Sequence, residues 1–318
     1  MHDVTAMGEL LIDFTSQGTD DAGYPLMQAH PGGAPANYLA ALAKMGSSTA
    51  MLGKVGQDTF GRLLQGTLRQ AGIETSGLIM SADCFTTLAF VTLDGSGERS
   101  FAFARKPGAD TQLRYEEVDL SLINDCRVFH FGSLSLTHEP ARTATQKCVA
   151  YAKEQGKIIS FDPNYRAALW LDEASANAQM LWGLHAADVV KISLEEVQFL
   201  FACNEVRGAE ILLKDYGVSV VFITLGKHGC YYAGKNGAGT VPNYTAVTTV
   251  DTTGAGDIFG GCAMHMLLAQ YTAPAALSAV QLAQAARFAC TAASLSTQRY
   301  GGISSVPTRS EVDSALSE

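Results

Sequence analysis

From Val128 to Thr224 short strand-like apolar runs alternate with longer stretches of helical period. Strands are predicted at 128–131, 157–162, 188–192 and 220–224, helices at 140–155, 175–186, 194–201 and 207–216. Repeated βα units of this kind build a parallel sheet covered by helices on both faces. The alternation therefore predicts an α/β chain with a doubly wound, mostly parallel sheet.

The remaining segments fit the same plan. Val4 to Phe14 reads as a strand carrying Asp13 at its end. A helix from Ala36 to Met45, a strand from Thr49 to Leu52 and a helix from Thr59 to Ala71 follow. Phe85 to Leu93, a turn at Asp94-Gly95-Ser96-Gly97, and Arg99 to Ala104 read as a β-hairpin. Tyr231 to Val247 reads as a second hairpin region, Ala246 to Val250 as a β-type run, and two helices, from Gly254 to about Gln270 and from about Ala275 to Ser296, close the chain. No linker or repeat divides residues 1–318, so a single domain is expected, with material at about 14–30 and 84–107 inserted as a small β lid over the carboxyl edge of the main sheet. Ligands of open α/β sheets bind at that edge.

Bulk properties exclude several classes. A net charge of −9 and a pI near 5.3 argue against nucleic acid or a membrane surface as partner. The apolar runs are too short for a membrane span, and no secretory signal is evident at Met1-His2-Asp3-Val4. Seven cysteines without a C-x-x-C pair read as reduced thiols of a cytoplasmic protein.

The chemistry concentrates at Asp251-Thr252-Thr253-Gly254-Ala255-Gly256-Asp257. Small residues at a loop-to-helix junction leave backbone N–H groups free to face an anion. Asp257 falls where it could take a proton from an attacking nucleophile, so the segment suits phosphoryl transfer. Taken alone it equally suits a Gly-rich helix start with an acidic first turn. There is no G-x-x-x-x-G-K-[ST], and Phe259 stands where G-x-G-x-x-G requires glycine, which argues against a P-loop and a dinucleotide fingerprint. A second loop-to-helix start, Gly32-Gly33-Ala34-Pro35-Ala36-Asn37, lets a hydroxylated ligand approach the backbone closely. Asn37 offers a donor and an acceptor there, and Asp13 could accept two sugar hydroxyls.

Together these two segments resemble the signatures of the ribokinase-like (PfkB) carbohydrate kinases, and Gly53-Lys54-Val55-Gly56-Gln57-Asp58-Thr59-Phe60-Gly61 extends the likeness to nearly the whole chain. The resemblance implies an ATP-dependent sugar kinase in which Gly254, Ala255 and Gly256 form the anion hole and Asp257 is the base. Asp13, Gly32, Gly33 and Asn37 would hold the sugar, and Arg166 would lie near the transferred phosphate. It places Asn164, Lys191, Thr224, Gly226 and Gly229 along the nucleotide, and Cys290 beside the adenine where relatives often have Asn. It further implies Mg2+ held through water by Glu196, with Ser193 replacing a common Asn. A monovalent cation, K+, would be caged by Asp251, Thr253, Ser296, Gly301 and Ser305. A homodimer formed through the lid is the assembly it allows.

Arg105-Lys106-Pro107-Gly108-Ala109-Asp110, Phe131-Gly132-Ser133-Leu134-Ser135-Leu136 and Phe161-Asp162-Pro163-Asn164 with Leu169-Trp170 resemble the bacterial fructokinase group, implying fructose as the acceptor. Related kinases act on 2-keto-3-deoxygluconate, 5-dehydro-2-deoxygluconate, ribose or aminoimidazole riboside. Arg105, expected at the sugar, would suit a sugar-acid carboxylate. A non-catalytic sugar-binding regulator is the alternative of another class; the intact loop and Asp257 speak against it.

Overall fold

The computed structural model describes residues 1–93, 99–270 and 272–317. In chain order the strands are β1 (His2–Met7), β2 (Leu11–Thr19), β3 (Pro25–Gly32), β4 (Thr49–Gly56), β5 (Ile73–Glu74), β6 (Leu78–Ser81), β7 (Leu88–Leu93), β8 (Arg99–Ala104), β9 (Cys126–Gly132), β10 (Ile158–Asp162), β11 (Val189–Ser193), β12 (Val220–Thr224), β13 (Cys230–Gly234) and β14 (Gly237–Val241). Ten strands form one sheet in the order β14-β13-β12-β11-β10-β9-β1-β4-β5, with β6 also pairing β4. All pairs from β12 to β5 are parallel, and β13 and β14 add an antiparallel edge. Two apolar clusters, one centred on Leu39, Leu42, Ile258 and Phe259, the other on Phe129, Phe131, Phe161 and Ile223, fill the two sides of this sheet.

The other sheet has four strands in the order β3-β2-β7-β8. Its middle pair, β2 with β7, is parallel, so two segments far apart in sequence are joined at its centre. The expected single strand Val4–Phe14 is therefore two strands in different sheets. The chain breaks at Gly8-Glu9-Leu10, and Asp13 lies inside β2, not at the end of a main-sheet strand. The hairpin is formed by β7 and β8, whereas its turn at Asp94-Gly95-Ser96-Gly97 lies outside the described residues. Ala246 to Val250 is a loop, not a β-type run; Val250 and Asp251 both donate their N–H groups to the Thr297 carbonyl, fixing this segment to a helix end where no strand is available to pair.

The segment Gly53–Gly61 has a structural reason for its pattern. Asp58 caps the helix Thr59–Gln70 by accepting the Gly61 N–H (2.8 Å), and it also accepts the N–H (2.8 Å) and hydroxyl (2.9 Å) of Thr86. One carboxylate thus fixes the end of β4, the next helix and the approach to β7, and these hydrogen bonds hold its pKa below the usual carboxylate value.

Candidate active site

The carboxyl ends of β10, β11 and β12 are Asp162, Ser193 and Thr224, and the site is built around them. The helix Ala255–Leu268 starts at Gly254, whose φ of 75° is left-handed, and no side chain caps it. Its first amides are left for a ligand. A Cβ at Gly254 would lie 2.8 Å from the Gly302 Cα, and one at Gly256 would lie 3.0 Å from Lys191 Nζ, so the turn leaves little room for side chains.

Asp257 is buried in the first turn, and its Oδ2 accepts the Asn37 Nδ2–H at 2.9 Å. Burial raises its pKa above the ordinary carboxylate value, against the opposing pull of Lys191, Asn37 and Arg166. Asp13 reaches over β3 so closely that a Cβ at Gly32 would collide with its Oδ2. Burial pushes the Asp13 carboxyl up to about 7; Arg166 pulls it down, and Asp257 and Asp251 add to the rise.

On the other side Lys191 Nζ lies 3.0 Å from Asp162 Oδ2. Its pKa is raised: burial disfavours the ammonium, but Asp162, Glu196 and Asp257 outweigh that and keep it charged. Glu196 accepts the N–H groups of Tyr165 (2.7 Å) and Ser193 (2.8 Å), while Ser193 Oγ accepts the Glu196 N–H. This is a capping box at the helix Leu194–Phe201, and it gives Ser193 a local reason. Both Glu196 oxygens hold one backbone donor and retain lone pairs for ordered water, which fits an ion that keeps most of its aqueous shell.

Asp13, Gly33, Asn37, Asn164, Arg166, Lys191, Glu196, Thr224, Gly254, Gly256 and Asp257 line one cavity of about 380 Å³. A groove of about 470 Å³ continues from it past Thr224, Thr252 and Gly256 to Gly226, Gly229, Val247 and the helix Ala279–Ser296. Asp251 bridges two loops. Its Oδ2 accepts the Gly301 N–H (3.0 Å), and its Oδ1 accepts the N–H and hydroxyl of Thr253 (3.0 and 2.8 Å). The buried hydroxyls of Ser296 and Ser305 donate to the Ala293 and Gly302 carbonyls. Among the described residues no group of three or more His, Cys, Asp or Glu could hold a metal, so an ion here would need carbonyls, hydroxyls or water beside any carboxylate.

Two expectations fail. Arg105 does not face the sugar cavity. It is 4% exposed, with Nε and Nη2 donating to Asp110 Oδ2 (2.8 and 2.6 Å), Nη2 to the Leu134 carbonyl (2.9 Å) and Nη1 to Thr137 Oγ1 (2.9 Å). Desolvated guanidinium and carboxylate satisfy each other, and Asp110 also accepts the Thr87 hydroxyl. Cys290, 2% exposed, lies in the core on the inner face of its helix; Ala293, Ser294 and Thr297, a turn or two further on, meet the groove instead. One charged cavity residue escapes the sequence analysis. Glu9 lines the 380 Å³ cavity, and its only sequence signal is a charge interrupting Met7-Gly8-Glu9-Leu10-Leu11-Ile12.

A model of the pfkB family carbohydrate kinases matches residues 1–309. The chain belongs to the pfkB family of carbohydrate kinases. Fructokinase-1 of Zea mays is 39% identical over 314 residues, covering 97% of this chain and 96% of the relative. Among solved pfkB-type structures, a fructokinase from Xylella fastidiosa with bound ATP superposes with a TM-score of 0.91 at 30% identity, covering 100% of this chain and 99% of that one. A fructokinase from Vibrio cholerae O395 in its fructose, ADP and calcium ion bound form gives 0.86 at 32% identity, with 99% of both chains covered. The fold is ribokinase-like, as the family expectation has it.

Proposed function

We propose that this pfkB kinase transfers the γ-phosphate of ATP to the primary hydroxyl of fructose, giving fructose 6-phosphate. The observation that carries the reading is the meeting of the two cavities at Gly256 and Thr224, with Asp257 at the junction and held by Asn37. The curated relatives supply the choice of sugar.

In this reading fructose lies against Asp13, Gly32, Gly33 and Asn37. Asp257 accepts the hydroxyl proton as oxygen attacks phosphorus, and the desolvation that raises its pKa makes it the better base. The amides of Gly254, Ala255 and Gly256 face the charge on the transferred phosphoryl group, and Arg166 adds a guanidinium. The nucleotide runs along Asn164, Lys191, Thr224, Gly226 and Gly229, its base against Ala293, Ser294 and Thr297. Charge neutralisation on the phosphates comes from Mg2+ when it is bound, with Glu196 orienting its waters; K+ is the ion proposed for Asp251, Thr253, Ser296, Gly301 and Ser305.

The four-stranded sheet acts as a lid that closes over the sugar and keeps water from the phosphate. Val91 and Phe103 already bring it to the cavity wall. Tyr24 and Leu26, 70% and 47% exposed beside or on β3, are proposed to meet a second copy; light scattering of the purified protein tests that dimer. No helix among the described residues is long and apolar enough to cross a membrane, and the free cysteines suit a cytoplasmic setting.

A coupled ATP-turnover assay with fructose, ribose, 2-keto-3-deoxygluconate and nucleosides decides the substrate. The highest kcat/KM is expected for fructose, and a tenfold or greater preference for another acceptor, about 1.4 kcal/mol, overturns that choice.

A further inference from the structure

Seven buried side-chain polar atoms among the described residues have no hydrogen-bond partner, and three of them, Glu9 Oε2, Thr15 Oγ1 and Asn37 Oδ1, belong to residues lining the 380 Å³ cavity. Orphaned buried polar atoms are rare enough to require a cause, and a hydroxylated ligand in the cavity they line is one. Glu9 is the least expected of them. It sits in the link between β1 and β2, where the main sheet passes into the lid, and it is 2% exposed. Its Oε1 accepts the Ala34 N–H at 2.9 Å, which fixes the carboxyl against the start of the helix Ala34–Lys44 and leaves Oε2 without a partner.

We propose that Glu9 is a specificity residue for the sugar: Oε2 hydrogen-bonds one hydroxyl of a neutral ketose, and the same carboxyl repels the carboxylate of a sugar acid. The proposal rests on the sugar-kinase reading and narrows its substrate class. The charges around the cavity support it. Glu9, Asp13, Glu196 and Asp257 line the cavity with Arg166 and Lys191, and Lys191 is tied to Asp162 at 3.0 Å. With Arg105 turned away and paired to Asp110, Arg166 is the cavity cation with no acidic side chain bound to it among the described residues, and the phosphate claims it. Burial also lifts the Glu9 carboxyl to about 7, with Arg105 lowering and Asp110 raising it, so near neutral pH the group can donate to a hydroxyl as well as accept from one.

The test uses the full chain with Glu9→Ala and Glu9→Gln. KM is measured for fructose, ATP and 2-keto-3-deoxygluconate, fructose affinity by calorimetry, and both sets are repeated with ketoses each lacking or inverting one hydroxyl. Glu9→Ala is expected to weaken fructose on the order of 10- to 100-fold, the range for a hydrogen bond involving a charged group, and to leave KM for ATP unchanged. For one analogue, lacking the contacted hydroxyl, wild type and variant should coincide. Glu9→Gln keeps an acceptor for Ala34 and so covers failure of Glu9→Ala to fold; its discrimination between fructose and that analogue should differ from that of wild type. Fructose turnover with an unchanged KM in Glu9→Ala, or the same loss for every analogue, refutes the role of Glu9 alone. Wild-type preference for another neutral sugar refutes fructose and moves the Glu9 comparison to that sugar. Preference for the sugar acid refutes both.

Discussion

Asp13→Asn should make the sugar-free protein more stable and its sugar complex weaker. Burial raises the Asp13 carboxyl from 3.8 to about 7, so the native state holds its proton over a pH range in which the unfolded chain releases it. The sign follows from linkage. The stabilisation is fully present below the unfolded value near 4 and is lost as pH rises through about 7. A shift of roughly three units at 1.36 kcal/mol each sets a ceiling of about 4 kcal/mol. Asp13 is only half-buried beside an open cavity, so about 2 kcal/mol is the working figure. Asparagine removes the charge and avoids this loss. With an unfolding entropy of roughly 2.1 cal/mol/K per residue, about 2 kcal/mol raises Tm by roughly 3 °C at pH 8, and the gain shrinks as pH falls towards 4. Saturating fructose should act in the opposite direction. Wild type gains stability with ligand, whereas the variant, having lost about 1.5–3 kcal/mol of binding, gains less. Scanning calorimetry at pH 5 and 8, with and without fructose, reads all four corners. If Asp13→Asn melts at or below wild type at pH 8 without sugar, the carboxylate is not a burden on the free protein and the reasoning fails.

Further outcomes follow from single contacts. Asp257→Asn should lower kcat by about 10²–10⁴-fold with fructose binding largely kept; in wild type the acid limb of kcat/KM should fall at a pH above the ordinary carboxylate range, because burial raises the pKa of the group that must be ionised. Arg105→Ala breaks a buried pair and should destabilise the protein by about 3–5 kcal/mol in urea unfolding, and Arg105→Lys should rescue little of this because an ammonium cannot reproduce the fork to Asp110, Thr137 and Leu134. Gly254→Ala forces a left-handed φ of 75° on a side chain that meets Gly302, so kcat should drop with KM for fructose little changed; unaltered turnover would remove the tight turn from the chemistry.

What was legible in the sequence was whatever local chemistry dictates. The βα alternation, the helix starts after Gly33 and Gly254, and the polar residues at the ends of β10 to β12 are spelled by residue type and spacing, and the fold brings those segments to one cavity. What was not legible depends on where a side chain points. Arg105 carries its partner Asp110 five residues on, and whether the guanidinium turns inward to it or outward to a ligand is decided by Thr137 and Leu134, some thirty residues away. Cys290 differs from its expected place because the helix Ala279–Ser296 turns that position to the core. Val4 to Phe14 reads as continuous because two strands in two sheets leave the same apolar signature, and the break is marked only by Gly8 and by a glutamate whose hydrogen-bond partner is Ala34.

The hydrogen bond from Asn37 to Asp257 spans 220 positions. It joins a helix made early in synthesis to one made late, and the loop around Gly301 that holds Asp251 comes later still. A ribosome that has released the first 250 residues has therefore exposed nearly the whole main sheet and the four-stranded sheet, yet neither the helix that carries Asp257 nor the loop at Gly301. The two partners of this hydrogen bond can therefore meet only once every strand of the main sheet has been laid down.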